Sequence, residues 1–247
     1  MPVDVVAPGV LRACAGGTNC YVVRTDDGLL LVDAGLPAHW RLVGEAVRRL
    51  GAAPRDVRAL VLTHGHFDHV GFATRAAGRL GLEPWVHEAD APLVASPYSY
   101  DHARPRSWYA VRHPRSLPLQ VAMVAAGALA VEGLQRVRTF GAGGPLDDVP
   151  GRPVAVPTPG HTDGHTAFHL PDRGLLFTGD ALVSLDPYSA RTGPRVVARA
   201  GTKDAERALD SLGALPPGLA TVLPGHGRPW TGRVEEAVAS ARRSGVA

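Results

Sequence analysis

Immediately after Thr63 the chain runs His64-Gly65-His66-Phe67-Asp68-His69, three imidazoles and a carboxylate in six residues, behind the apolar stretch Val57-Arg58-Ala59-Leu60-Val61-Leu62. Side chains two apart along an extended segment project the same way, so His64 and His66 can grip one ion together. Imidazole nitrogen and carboxylate oxygen bind divalent zinc at roughly 2.0 to 2.2 Å, usually in sets of four. A working site therefore needs ligands from elsewhere, and the fold must carry distant segments to the end of one strand.

Three further segments offer them. They are Pro157-Thr158-Pro159-Gly160-His161-Thr162, Leu176-Phe177-Thr178-Gly179-Asp180 and Leu223-Pro224-Gly225-His226-Gly227. Each candidate ligand, His161, Asp180 or His226, follows an apolar, strand-like run and sits beside a glycine, where backbone can approach an ion closely. A lone histidine near glycine is ordinary loop chemistry; the ordered conjunction of four such segments is what points to metal. Nitrogen and oxygen donors suit zinc and also admit iron or manganese.

With H-x-H-x-D-H, G-H-T-x-G-H, T-G-D and G-H-G present in that order, the chain resembles the metallo-β-lactamase-fold hydrolases, most closely their glyoxalase II-like branch. Val32-Asp33-Ala34-Gly35 also matches the family's strand-end turn, so the resemblance covers nearly the whole chain. It implies an α/β fold, the four-layer αββα metallo-β-lactamase sandwich with a helical insertion, built as one domain over 1–247 with a cap inserted at 96–135. It implies His64, His66 and His161 on one metal, Asp68, His69 and His226 on the other, and Asp180 bridging the two. His165 matches the family's second histidine in its segment and is expected to orient the loop rather than ligate, and His169 is not a ligand either. Asp33 is expected to support the cluster from a strand end.

Two dications would lower the pKa of a shared water from about 15.7 toward about 7, giving a hydroxide able to attack a carbonyl carbon or phosphorus. One metal would stabilise the charge developing on the substrate oxygen, and Asp68 would orient the attacking oxygen or carry its proton to the leaving group. Departures from the family pattern narrow the substrate. Classical β-lactamases carry cysteine or serine where Asp180 stands, and the family's acyl-homoserine lactonases place tyrosine three residues on, here Val183. Glyoxalase II adds a helical glutathione-binding region, for which the tail after His226 is short, and the motifs of the RNA-processing nucleases are missing. The expected activity is zinc-dependent hydrolysis of a small ester, thioester or lactone, with a phosphodiesterase as one alternative. Another is a mononuclear iron sulfur dioxygenase of the same fold, with His64, His161 and Asp180 as its facial triad. The complete second ligand set favours hydrolysis and argues against a non-catalytic binding protein.

At 247 residues and 45% hydrophobic content the chain can bury a sizeable core. Its net charge of +3 is scattered, and Lys203 is the single lysine; without a run of like charges, nucleic-acid binding is not expected. Met1-Pro2-Val3-Asp4 has no basic region leading into an apolar block, so a cytoplasmic protein is expected. Cys14 and Cys20 then read as small apolar residues rather than a disulfide.

Asp26-Asp27-Gly28 between the apolar runs 21–25 and 29–33 predicts a hairpin. Trp40, Val43, Val47 and Leu50, at helical spacing between Pro37 and Gly51, predict an amphipathic helix. A second helix is expected at 70–80, strands at 85–87, 154–156, 167–170, 175–178 and 221–223, and helices at 203–215 and 233–243. In the insertion, Tyr98, Tyr100, Trp108 and Tyr109 mingle with Arg104, Arg106, Arg112 and Arg115 before an apolar run at 117–134. That run holds Gln120 and Glu132 among small residues, so a packed helix is expected and not a membrane span. The aromatic and arginine half reads equally as the wall of a pocket for an anionic small molecule or as a homodimer contact or solvated surface loop. His39, His102 and His113 are expected at the surface, and His87 at an ordinary strand end.

Overall fold

The computed structural model describes residues 2–247, without the side chains of residues 106 and 110. The chain first lays down a sheet of seven strands in spatial order: β1 (Val3–Ala7), β2 (Val10–Ala15), β3 (Thr18–Thr25), β4 (Gly28–Val32), β5 (Val57–Val61), β6 (Trp85–His87) and β7 (Arg138–Phe140). The first four pair antiparallel, and β4 through β7 pair parallel. The predicted hairpin is β3–β4, closing at Thr25 opposite Gly28.

A second sheet follows from β8 (Gly144–Pro145), β9 (Val154–Pro157), β10 (Thr166–Leu170) and β11 (Leu175–Gly179). The chain then forms a separate ribbon, β12 (Val183–Leu185) with β13 (Thr192–Arg195), before β14 (Leu219–Pro224) and β15 (Trp230–Arg233) complete the sheet in the order β15-β14-β11-β10-β9-β8. The helices are α1 (His39–Arg49), α2 (Phe67–Val70), α3 (Ala73–Leu80), α4 (Ala91–Ala95), α5 (Arg106–Arg112), α6 (Leu117–Ala125), α7 (Ala205–Ser211) and α8 (Val234–Ser244).

Strand alternation explains the layering. In β4, Leu29 and Leu31 join a core with Val43 and Val47 of α1, whereas Leu30 and Val32 point the other way onto Phe168, Phe177 and Leu223 of the second sheet. Leu176 and Val222 in turn face Ala208 of α7 and Val238 of α8. Helix, sheet, sheet and helix therefore stack as the four-layer α/β sandwich expected, and because both faces of β4 are covered, it reads as an unbroken apolar run.

Three expectations need correction. The helix expected at 70–80 is two, because the Gly71 and Phe72 amides leave the helical ladder to donate to the carbonyls of Gly35 (2.7 Å) and Ala34 (3.1 Å). A Cβ on Gly71 would lie 2.3 Å from the Gly35 oxygen, so only glycine lets the strand-end turn dock there. The helix expected at 203–215 ends its α-helical part at Ser211, and a single 3-10 turn finishes it. The run 117–134 is helical only to Ala125, and its packing is one-sided: Met123 is buried, while Val121 and Val124 face outward. Among the described residues no helix is long and apolar enough to cross a membrane.

Candidate metal centre

β4 and β5 run parallel and end side by side, which places the turn Asp33-Ala34-Gly35 against Thr63. Asp33 adopts a left-handed conformation (φ 62°) that aspartate tolerates better than most residues. Its buried carboxylate accepts from the Thr63 amide (2.8 Å) and hydroxyl (2.9 and 3.0 Å), and pairs with His69 Nδ1 (2.9 Å). The turn thus aims His69 Nε2 inward, the supporting role expected of Asp33.

Three other histidines are oriented the same way, while His66 Nδ1 lies 2.9 Å from His161 Nε2. His64 Nδ1 meets Thr63 Oγ1 (3.0 Å), His161 Nδ1 meets Thr202 Oγ1 (3.3 Å), and His226 Nδ1 meets the Gly17 carbonyl (3.0 Å). With one ring nitrogen engaged, the other is fixed toward a common point, as outer partners fix metal-binding imidazoles. All seven residues expected as ligands converge there, each nearly or fully buried. Ligand atoms of His64, His66 and His161, of Asp68, His69 and His226, and of His64, His69 and Asp180 lie within 4.8 Å of one another in each set. Asp180 is central, its carboxylate 3.4 Å from His69 Nε2, 3.5 Å from His161 Nε2 and 3.2 Å from His226 Nε2. His165 stays outside, as expected: its Nδ1 pairs with Thr158 Oγ1 and its Nε2 accepts from the Asp180 amide (3.0 Å). His169 lies on β10, away from the cluster.

Two observations test whether these residues fit a cation. Buried polar atoms are normally hydrogen-bonded, yet Nε2 of His64, His66 and His69 and Oδ1 of Asp180 have no partner. Burial also holds His66 and His161 down at about 3 and His64 lower than usual, so all three are neutral lone-pair donors, the form a metal requires. Burial opposes charge on His226 too, but Asp180 and Asp68 push it up to about 10, and Asp180, Asp33 and Asp68 likewise raise His69. The carboxylates demand positive charge at this point, and a divalent cation would supply it in place of those protons. The residues fit.

One organising residue went unpredicted. Asp90, buried at the start of α4, accepts from the Gly65 amide (2.9 Å) between His64 and His66, and from Thr162 Oγ1 and the Gly164 amide (both 2.7 Å) beside His161. It clips two ligand loops together, and an acid at a helix start gives no local sign of that. Asp90→Asn, which turns one acceptor oxygen into a donor, should weaken metal retention against a chelator about tenfold, and Thr162→Val should do so less. Unchanged retention in Asp90→Asn would contradict the clip.

His39 is not at the surface. It is fully buried, its Nδ1 accepting from the Leu36 amide (2.9 Å) and its Nε2 pairing with the Thr18 carbonyl (3.0 Å) under the loop that holds His226. His102 is exposed as expected; His113 is half-buried with its ring stacked on Tyr109. His87 ends β6 and bonds the Gly141 carbonyl.

The 96–135 segment reaches the centre through its aromatics: Tyr98 stacks on Phe67 and Tyr100 packs on His66 at 3.9 Å between centroids. From the other side Leu119 of α6 presses on Gly17, where a Cβ would come within 2.2 Å. A cavity of about 270 Å³ opens beside His66 and His161, walled by Pro92, Leu93, Tyr100, Thr162 and Lys203. The arginines read as a pocket wall do not shape it: Arg104 lies over the Trp108 ring, and Arg112 and Arg115 line a different groove. Arg106, named with them, falls outside the described side chains. The cation on the cavity wall is Lys203, held by Asp163 at 2.6 Å.

Comparison with known proteins identifies the family and the fold. The chain is 27% identical to Probable metallo-hydrolase YflN of Bacillus subtilis over 242 residues, 92% of this chain and 87% of that protein. The solved structure of TTHA1623 in a di-iron-bound form superimposes with a TM-score of 0.59 at 26% identity, covering 87% of this chain and 89% of that one. A mutant metallo-beta-lactamase from Cronobacter sakazakii superimposes with a TM-score of 0.68 over 99% of this chain and 95% of its own, and at 19% identity this likeness speaks to the fold alone. The family model of the metallo-beta-lactamase superfamily matches residues 15–226. The chain belongs to the metallo-beta-lactamase superfamily.

Proposed function

We propose that the protein is a hydrolase of the glyoxalase II-like branch that cleaves an ester, thioester or lactone of a small molecule with two divalent ions, zinc foremost. His64, His66 and His161 would hold one ion, Asp68, His69 and His226 the other, and Asp180 would touch both. The observation that carries this reading is the convergence of seven nitrogen and oxygen donors on one buried point, four of their atoms lacking any hydrogen-bond partner. Bound there, the ions would polarise a substrate oxygen and lower the pKa of water.

The chain's own residues do the rest. Burial pushes Asp68 up, but His69 and His226 outweigh it and hold its carboxylate at about 2, so it is ionised at neutral pH. Thr18 Oγ1 donates to Asp68 Oδ2 (3.3 Å) and fixes it. Asp68 is placed to accept a proton from attacking water and pass it to the leaving group. The 96–135 segment acts as a lid on a single domain spanning 1–247: Tyr100 shields the His66 side from water.

The di-iron form of TTHA1623 favours weighing iron as well. A mononuclear iron sulfur dioxygenase would rest on His64, His161 and Asp180. Protein purified without added metal separates the readings when assayed on chromogenic esters, thioesters and lactones, and for oxygen uptake on glutathione persulfide. Hydrolysis, abolished by chelator and restored by zinc, is the expected result; oxygen uptake without hydrolysis would contradict it.

A further inference from the structure

Away from the metal centre, a groove of about 540 Å³ lies between the end of α5 and the β12–β13 ribbon, lined by Arg112, His113, Arg115, Arg191 and Arg195 with small neighbours and no carboxylate. Some arginines elsewhere pair with acids, among them Arg12 with Asp4, Arg138 with Glu83, Arg152 with Asp147 and Arg207 with Asp163. Arg112, Arg115 and Arg191 make no ion pair or side-chain hydrogen bond among the described residues. Arg195 reaches only the backbone carbonyls of Gly193 and Thr192. Asp186 lies buried behind the ribbon, and its carboxylate is taken up by Ser189 and by the Tyr188 and Ala198 amides. One acid behind the floor leaves most of four guanidinium charges unanswered.

The scaffold holds these charges in place. The turn between β12 and β13 closes through Ala190 to Asp186 and Asp186 to Arg191 backbone bonds (both 2.9 Å), with Ala190 at φ 55°, a conformation costly for a residue with a side chain. Arg191, just before β13, and Arg195, at its end, both line the groove. Four planar forks around a space of this size suit phosphate oxygens, which guanidinium binds in bidentate fashion, and the volume is that of a small-molecule site.

We propose that this groove binds a small molecule through a diphosphate group, the convergence of four arginines from α5, the turn after it and the β12–β13 ribbon on one acid-free groove being the observation behind it. It shares no lining residue with the cavity at the metal centre, so it stands or falls apart from the hydrolase reading.

Calorimetric titration of the full protein with adenosine 5′-diphosphate tests it, with adenosine as the uncharged control. Saturable binding is expected that weakens with added salt, is absent for adenosine, persists in His66→Ala, and falls at least about tenfold when Arg112→Ser and Arg191→Ser are combined. Both arginines are exposed and unpaired, so the double variant keeps its fold, which its melting temperature checks. No saturable binding of the diphosphate, equal binding of adenosine, loss of binding in His66→Ala, or undiminished affinity in the double variant would overturn the proposal.

Discussion

His66→Ala is expected to lower ester turnover by about a thousandfold or more while leaving the melting temperature of the metal-free protein nearly unchanged. The two effects part for one reason. His66 Nε2 is buried without a partner and burial holds the ring neutral, so what a methyl group forfeits for folding is the 2.9 Å contact of Nδ1 with His161 Nε2 and the packing on Tyr100, small beside the loss of a donor. On the proposed hydrolase reading it is one of three donors at its side of the centre, and losing several kcal/mol of charge stabilisation there amounts to about three decades of rate. Steady-state kinetics on a chromogenic ester, beside a thermal melt, checks both halves. Turnover equal to the parent protein would remove His66 from the chemistry; a collapsed melt would make it a structural residue.

Gly225→Ala is expected to give a folded protein that holds metal poorly. A Cβ at this position would lie 2.2 Å from Asp180 Oδ1 and 2.7 Å from His69 Cε1. Both obstacles are side-chain atoms, and because Asp33 holds the His69 ring, the carboxylate is the group that swings away. That displacement takes the central donor from His69, His161 and His226 at once. Metal content should fall well below that of the parent, and turnover by about a hundredfold or more, on the scale at which a displacement of about 1 Å disrupts a reactive geometry. Metal analysis of the folded variant checks this. Full metal content would show that Asp180 tolerates the methyl group and is not the shared donor. The same contact explains why Gly225 precedes His226: the sole residue without a side chain leaves room for the carboxylate it faces.

These two residues also show what was legible in advance. His64, His66, Asp68, His69, His161, Asp180 and His226 could be picked out because metal chemistry limits residue type, and a donor at a strand end leaves a local pattern of apolar run, glycine and ligand. The hairpin β3–β4 and helix α1 were legible because their turn chemistry and periodicity are local. Asp90 was not, because its three donors come from 25 residues upstream and from 72 and 74 residues downstream. His39 looked like a surface position on an amphipathic helix; what buries it is the loop from Ala15 to Thr18, brought over by β2 and β3. The break between α2 and α3 depends on Gly71 meeting Gly35, a contact that exists only once β4 and β5 are paired. In the insertion, aromatic and basic residues shared one stretch of sequence but separated in space, the tyrosines to the metal centre and Arg112 and Arg115 to the far groove.

The whole account requires that this buried cluster hold a pair of cations. Diffraction data from crystals of the metal-loaded protein, collected above and below the absorption edge of the metal, measure that directly. Two anomalous peaks are predicted, roughly 3.5 to 4 Å apart as in two-metal hydrolytic centres, one among His64, His66 and His161, the other among Asp68, His69 and His226, with Asp180 reaching both. Loaded crystals with no peak among these side chains, or with the imidazoles turned into separate surroundings, would contradict it.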